Sequence, residues 1–204
     1  MNVVYYLEPV PHIIIDDFYY PWELDSIWKE LVFLTDSRIL RSPEKTGSAT
    51  NDRGDVIKSN KGLFLDEIYA NSRNTSHILT YNRRLFNQDF MNEAATKNFV
   101  FKYFMSCSKD TTLVSYYENS DYYAPHHDTS TLTACTWLYR EPKQFTGGDF
   151  EFSDYNYKIN IKNNRTVIFP GVVTHAVESV VMNNPDDTPF SCNGRYVISN
   201  FISN

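Results

Sequence analysis

Four residues in the second half of the chain have the types and spacing for metal-assisted oxygen chemistry: His126, Asp128, His175 and Arg195. The segment Tyr123-Ala124-Pro125-His126-His127-Asp128 reads as the end of a strand. Side chains two apart on a strand share a face, so His126 and Asp128 point one way and His127 the other. A second strand, Thr166 to Val180, is expected to carry His175. Two imidazoles and one carboxylate on one side of a metal leave its other side open, the ligand set of non-haem iron(II) sites. Arg195 follows in an apolar run that can pass the same pocket, where a guanidinium pairs with the carboxylate of a small cosubstrate. Ligand type alone does not select iron, because zinc, cobalt or nickel bind such a set more tightly.

These groups need a scaffold of short strands. From Thr112 onward, turn residues separate apolar segments near 112–118, 122–126, 132–139, 148–152, 157–161, 166–169, 176–181 and 194–202. About eight strands at this spacing predict a double-sheet jelly roll. Upstream, Ile13-Ile14-Ile15 predicts a buried strand within 11–18, and Pro21 opens a helix whose Leu24, Ile27, Trp28 and Leu31 share one face. Further helices are expected over 76–86 and 89–98. Phe99, Phe101, Tyr103 and Met105 alternate with the period of a strand, and Ser108-Lys109-Asp110 reads as a turn. The segment from Thr35 to Gly62 is polar and rich in turn formers, with short strands expected at 37–40 and 55–57. It is too long for an ordinary connector, and residues 42–61 read as either a flap over the substrate or a disordered stretch.

The chain of 204 residues suits a single domain: 1–111 as helical support and loop, 112–204 as jelly-roll core. A net charge of −6 argues against nonspecific nucleic-acid binding and against anionic membrane surfaces. Cys107, Cys135 and Cys192 are odd in number and lack CxxC spacing, which predicts reduced thiols and a cytoplasmic location. No signal peptide and no bilayer-spanning stretch is evident.

Read in order, the motifs Tyr123-x-x-His126-x-Asp128, Phe145-Thr146-Gly147-Gly148-Asp149-Phe150, Phe169-Pro170, His175-x-Val177-x-x-Val180 and Gly194-Arg195 resemble the prolyl 4-hydroxylase-like branch of the 2-oxoglutarate- and iron(II)-dependent oxygenases. Leu34-Thr35-Asp36 with Arg53-Gly54-Asp55 is similar to the mobile loop region of the oxygen-sensing prolyl hydroxylases. The resemblance implies a mainly β fold with flanking helices (α+β), a double-stranded β-helix core buttressed by N-terminal helices. It implies iron(II) on His126, Asp128 and His175, and 2-oxoglutarate with its far carboxylate on Arg195. Dioxygen is the second cosubstrate, and ascorbate a candidate reductant. A tyrosine on the strand before the metal motif falls at Tyr117, with Tyr116 as the register alternative, and Tyr123 matches an aromatic residue that faces the pocket. Leu132, Ile168 and Val197 are expected as apolar walls.

The chain departs from the family pattern at four places. Ser120 replaces a glycine, Asn183 to Asn193 looks inserted, Phe201 stands where a tryptophan is usual, and Trp137 where some relatives place a tyrosine. The reading that follows is hydroxylation of prolyl residues in a protein or peptide, releasing succinate and carbon dioxide. Its rivals are the same chemistry on a free amino acid, another side chain or a nucleobase, and an inert metal-binding jelly roll. Gly147-Gly148 and Arg53-Gly54-Asp55 read as turns, and His12, His77 and His127 receive no role.

Overall fold

The computed structural model describes residues 1–35, 39–47, 50–51, 53–184 and 189–204. Two antiparallel strands, β1 (Asn2–Tyr6) and β2 (His12–Asp16), open the chain. The run Ile13-Ile14-Ile15 is buried on both faces of β2, as β-branched side chains on a pleated surface favour. β1 was not expected; it lies at a sheet edge and is half exposed, so its apolar signal is short. Helix α1 (Pro21–Leu34) starts at Pro21, and the Glu23 carboxylate accepts the Tyr20 N–H at 2.8 Å. Its Ile27, Leu31 and Leu34 are buried.

Strand β3 (Lys61–Phe64) leads into α2 (Leu65–Ile68), α3 (His77–Asn82) and α4 (Gln88–Lys97). The Ser76 hydroxyl caps α3 by accepting the Leu79 N–H at 3.1 Å. The strand expected at Phe99 to Met105 is instead a 3₁₀ helix, Phe99–Ser106. The Asn98 side chain accepts the Val100 N–H at 3.0 Å and turns the chain. Phe101 and Phe104, three residues apart, are then the buried pair, while Phe99, Tyr103 and Met105 face outward.

The remaining strands are β4 (Lys109–Tyr117), β5 (Tyr123–His126), β6 (Leu132–Leu138), β7 (Phe145–Gly147), β8 (Phe150–Phe152), β9 (Tyr157–Ile159), β10 (Arg165–Pro170), β11 (His175–Val177), β12 (Val180–Met182) and β13 (Arg195–Ser203). Lys109, expected in a turn, already pairs with Ser203. Among the described residues, one sheet has the order β1-β2-β10-β6-β13-β4-β3, a second β5-β11-β8-β9, and β12 pairs with β7. Helix-side residues such as Ile27, Leu31, Ile78 and Leu79 pack on one face of the large sheet with Leu132, Leu138 and Ile198. Trp137, Phe150, Phe152, Phe169 and Val197 fill the space between the two sheets. This is the expected double-stranded β-helix buttressed by N-terminal helices.

The stretch Thr166 to Val180, expected as one strand around His175, spans β10 and β11 and reaches the first residue of β12, in three different sheets. The chain crosses over at Pro170-Gly171, where an added Cβ on Gly171 would meet the Ser130 carbonyl oxygen at 2.3 Å. This crossing carries His175 out of the large sheet and next to β5. In the loop before β3, Val56 bridges Thr50, where a strand was expected at 55–57. Residues 36–38, within the expected strand 37–40 and the loop resemblance, lie outside the described residues, as do 48, 49 and 52 of the flap and 185–188 of the insertion. Among the described residues no helix is long and apolar enough to cross a membrane.

Candidate metal and cosubstrate site

His126 ends β5, and His175 begins β11 directly opposite it. Asp128 lies two residues beyond His126, and its backbone N–H is held by the Gly171 carbonyl at 2.8 Å. One donor atom from each of His126, Asp128 and His175 falls within 4.8 Å of the others. The His175 Nε2 is 3.6 Å from an Asp128 carboxylate oxygen, and the two imidazole centroids are 4.2 Å apart. The structure thus brings the three expected residues to one point, while His127 is exposed.

Both rings are oriented alike. His126 Nδ1 lies 2.9 Å from the Ala124 carbonyl, and His175 Nδ1 lies 2.9 Å from the Val173 carbonyl. A carbonyl only accepts, so each Nδ1 carries the proton and each Nε2 keeps its lone pair. Burial, reinforced by His175, lowers His126 to about 3. Burial also lowers His175, against the pull of Asp128. Both imidazoles are therefore neutral at pH 7, the form that binds metal. The Thr133 hydroxyl donates to Asp128 at 2.6 Å and stands 2.8 Å from the Ser130 hydroxyl. Thr133 spends its one proton on the carboxylate, so Ser130 donates to Thr133. This chain fixes the carboxylate, as outer partners of metal ligands do.

Arg195 opens β13 opposite Tyr117 on β4 and is fully buried. Its guanidinium lies 4.9 Å over the Tyr117 ring. None of its three nitrogens has a hydrogen-bond partner. Tyr117 acts on it electrostatically, without a contact of hydrogen-bond geometry. Burial keeps the Tyr117 phenol protonated by raising its pKa. A buried cation with idle donors fits a dianionic cosubstrate, whose carboxylate would take up those N–H groups. The same cavity of about 420 Å³ is lined by Arg195, Tyr117, the three candidate ligands, Tyr123 and Trp137. The site residues present therefore fit both a divalent metal and a small diacid.

Tyr117 faces the cavity, and Tyr116 the helical side, where its hydroxyl accepts the Gly194 N–H at 3.2 Å. Tyr123 stacks on His126 with centroids 3.4 Å apart. Trp137 lines the cavity and its buried indole N–H is unpaired; Phe201 lines the cavity further out. Val197 is a wall as expected, but Leu132 and Ile168 are not. They point to the opposite face, into the helix-side core, and Thr133, Cys135 and Phe169 hold the inner positions. Lys58, which sequence reasoning passed over, also lines the cavity. Thr46 and Gly47 join it, so described parts of the 42–61 segment cover the site.

Comparison with known proteins agrees with this geometry. Residues 112–203 match the model of the 2OG-Fe(II) oxygenase superfamily. A search of curated protein sequences finds no match. Among solved structures, a Pseudomonas putida prolyl-4-hydroxylase is 14% identical with a TM-score of 0.62, over 97% of this chain and 94% of that one. The viral collagen prolyl hydroxylase of Paramecium bursaria Chlorella virus-1, in its 2OG complex, is 15% identical with a TM-score of 0.54, over 94% of each chain. NgTET1, solved with 5mC DNA, is 12% identical with a TM-score of 0.53, over 94% of this chain and 71% of that one. At these identities the structural likeness speaks to the fold, which is prolyl 4-hydroxylase-like. Residues 112–203, which carry His126, Asp128, His175 and Arg195, thus match the model of a superfamily whose members use iron(II), 2-oxoglutarate and dioxygen, and the fold and the His-Asp-His cluster agree with that match.

Proposed function

We propose that the protein hydroxylates prolyl residues of a protein or peptide, with His126, Asp128 and His175 holding iron(II) and Arg195 holding the far carboxylate of 2-oxoglutarate. When bound, iron(II), 2-oxoglutarate and dioxygen supply an oxidant that places a hydroxyl on an unactivated C–H bond, with succinate and carbon dioxide as coproducts. The chain's own residues orient and enclose that chemistry. The Ala124 and Val173 carbonyls aim the two imidazole lone pairs at one point. Thr133 and Ser130 steady Asp128. Tyr117 supplies a ring beneath Arg195 and a protonated hydroxyl beside it. Trp137, Phe150 and Val197 line the same cavity as Arg195 and make its walls apolar, which strengthens the pairing of the guanidinium with a carboxylate.

The observation that carries the polymer substrate is the shape of the cavity. It continues along every second residue from Tyr117 back to Lys109 on β4, and from Arg195 to Ser203 on β13. Five alternate positions on a strand run roughly 27 Å, which suits an extended peptide better than a free amino acid. Several of the floor residues are Ser or Thr, which can hydrogen-bond a passing backbone. The three free cysteines, none disulfide-bonded, suit a reducing compartment. The test is mass spectrometry of prolyl peptides incubated with the protein, iron(II) and 2-oxoglutarate. A gain of one oxygen on proline, matched by succinate, supports the reading. Oxygen gained only by a free amino acid, another side chain or a nucleobase refutes the prolyl assignment.

A further inference from the structure

We propose that Lys58 selects the substrate, by pairing in the cavity with a carboxylate carried at or beside the reacting residue. This rests on reading the cavity as the oxygenase's substrate site.

Lys58 comes from the polar loop before β3 and is 1% exposed. The backbone places it there. Lys58 bridges Tyr123 of β5, and the Ala124 N–H donates to the Ile57 carbonyl at 2.7 Å. Its Nζ gives one N–H to the Thr46 carbonyl at 2.7 Å and sits 5.2 Å over the Tyr123 ring, which in turn stacks on His126. The ammonium is thus one aromatic ring away from a candidate metal ligand.

An ammonium has three N–H donors, and here one is spent on a neutral carbonyl. Among the described residues, no carboxylate forms a salt bridge with it. The acidic groups that act on it through space are Glu44, fully exposed on the same loop, and Asp128. Asp128 belongs to the metal site in the reading above, and Arg195 has the diacid for a partner. Lys58 is left as a buried positive charge with nothing assigned to it. Burial lowers its pKa to about 8, so it stays mostly protonated at neutral pH. Tying the loop to Thr46 needs only a neutral donor, whereas burying an ammonium is costly unless an anion meets it. A carboxylate is the match, and it can arrive as the α-carboxylate of the target residue or as an acidic side chain next to it.

The experiment is anaerobic calorimetry on iron(II)-loaded protein saturated with 2-oxoglutarate, so that nothing turns over and the diacid site is full. The probes are two matched pairs: N-acetyl-proline against N-acetyl-prolinamide, and capped Gly-Pro-Glu-Gly against capped Gly-Pro-Gln-Gly. Wild type should bind the anionic member of at least one pair about tenfold more tightly, the strength of a single modest charge-assisted hydrogen bond. The pair that responds tells the α-carboxylate from the side chain. Lys58→Met should erase the preference, so that the two members of the pair bind alike. A role confined to holding the loop would weaken both members equally, and that result overturns the proposal. So does equal affinity, or no binding by either member, in wild type. If the preference is found but no proline is oxidised on admitting air, the Lys58 assignment stands and the prolyl reading fails.

Discussion

Arg195 stands directly opposite Tyr117 across the β4–β13 ladder, stacked over its ring and without a hydrogen-bond partner for any of its three nitrogens. A buried guanidinium in that state costs several kcal/mol until an anion arrives. Arg195→Met should therefore raise the melting temperature of the ligand-free protein and abolish its rise with 2-oxoglutarate. In wild type, ligand at a hundred times its Kd should add about 2.7 kcal/mol. Thermal melts of both proteins with and without 2-oxoglutarate give the answer. An undiminished ligand shift in the variant would remove Arg195 from the site.

Gly148 has φ of +71°, and a Cβ there would lie 2.8 Å from Arg195 Cδ. Gly148→Ala adds about 1–2 kcal/mol of left-handed strain and pushes on the arginine stem. The 2-oxoglutarate Kd should rise about tenfold while metal affinity holds. Titrations of the variant with metal and with diacid separate the two; equal loss of both would mean a general disruption instead.

Thr133 is the hydroxyl that holds the Asp128 carboxylate. Thr133→Val keeps the shape and removes the donor, so iron(II) affinity should fall by about tenfold or more, as for other outer partners of ligands. Competition against a chelator measures it. Unchanged affinity would show that Asp128 needs no such support.

Asp16 accepts both Nε (2.6 Å) and Nη2 (3.0 Å) of Arg165, its register partner on β10, and Lys162 at 3.1 Å. The Arg165 hydrogen bonds hold its carboxyl below the usual carboxylate range, against burial. A depressed folded pKa means the stability it contributes is full above the unfolded value and is lost as pH falls through the folded one. Asp16→Asn should cost about 1–2 kcal/mol at pH 7 in urea unfolding. The gap between variant and wild type should close in acid; a gap that widens on acidification contradicts the assignment.

The metal motif was legible because its signal is local. His126 and Asp128 are two apart at a strand end, and His175 and Arg195 follow in family order. Which residues wall the cavity was not legible in β6, where all seven residues are buried. Each face of β6 carries one threonine among otherwise apolar residues, so hydrophobicity cannot set the parity, and the inner set is Thr133, Cys135 and Trp137 rather than Leu132. The same one-residue ambiguity turned Ile168 around on β10. The aromatic alternation from Phe99 to Met105 imitated a strand because exposed aromatics stood between buried ones. Nothing in the polar loop singles out Lys58; the bridge to Tyr123 and the bond to the Thr46 carbonyl place it in the cavity.

The central claim is that His126, Asp128 and His175 close on one iron(II) beside the diacid site. Anaerobic addition of iron(II) and then 2-oxoglutarate should give wild type a weak visible charge-transfer band at one metal per chain. His175→Ala, under the same conditions, should show none. A band of full strength in the variant, or none in wild type, would contradict the account.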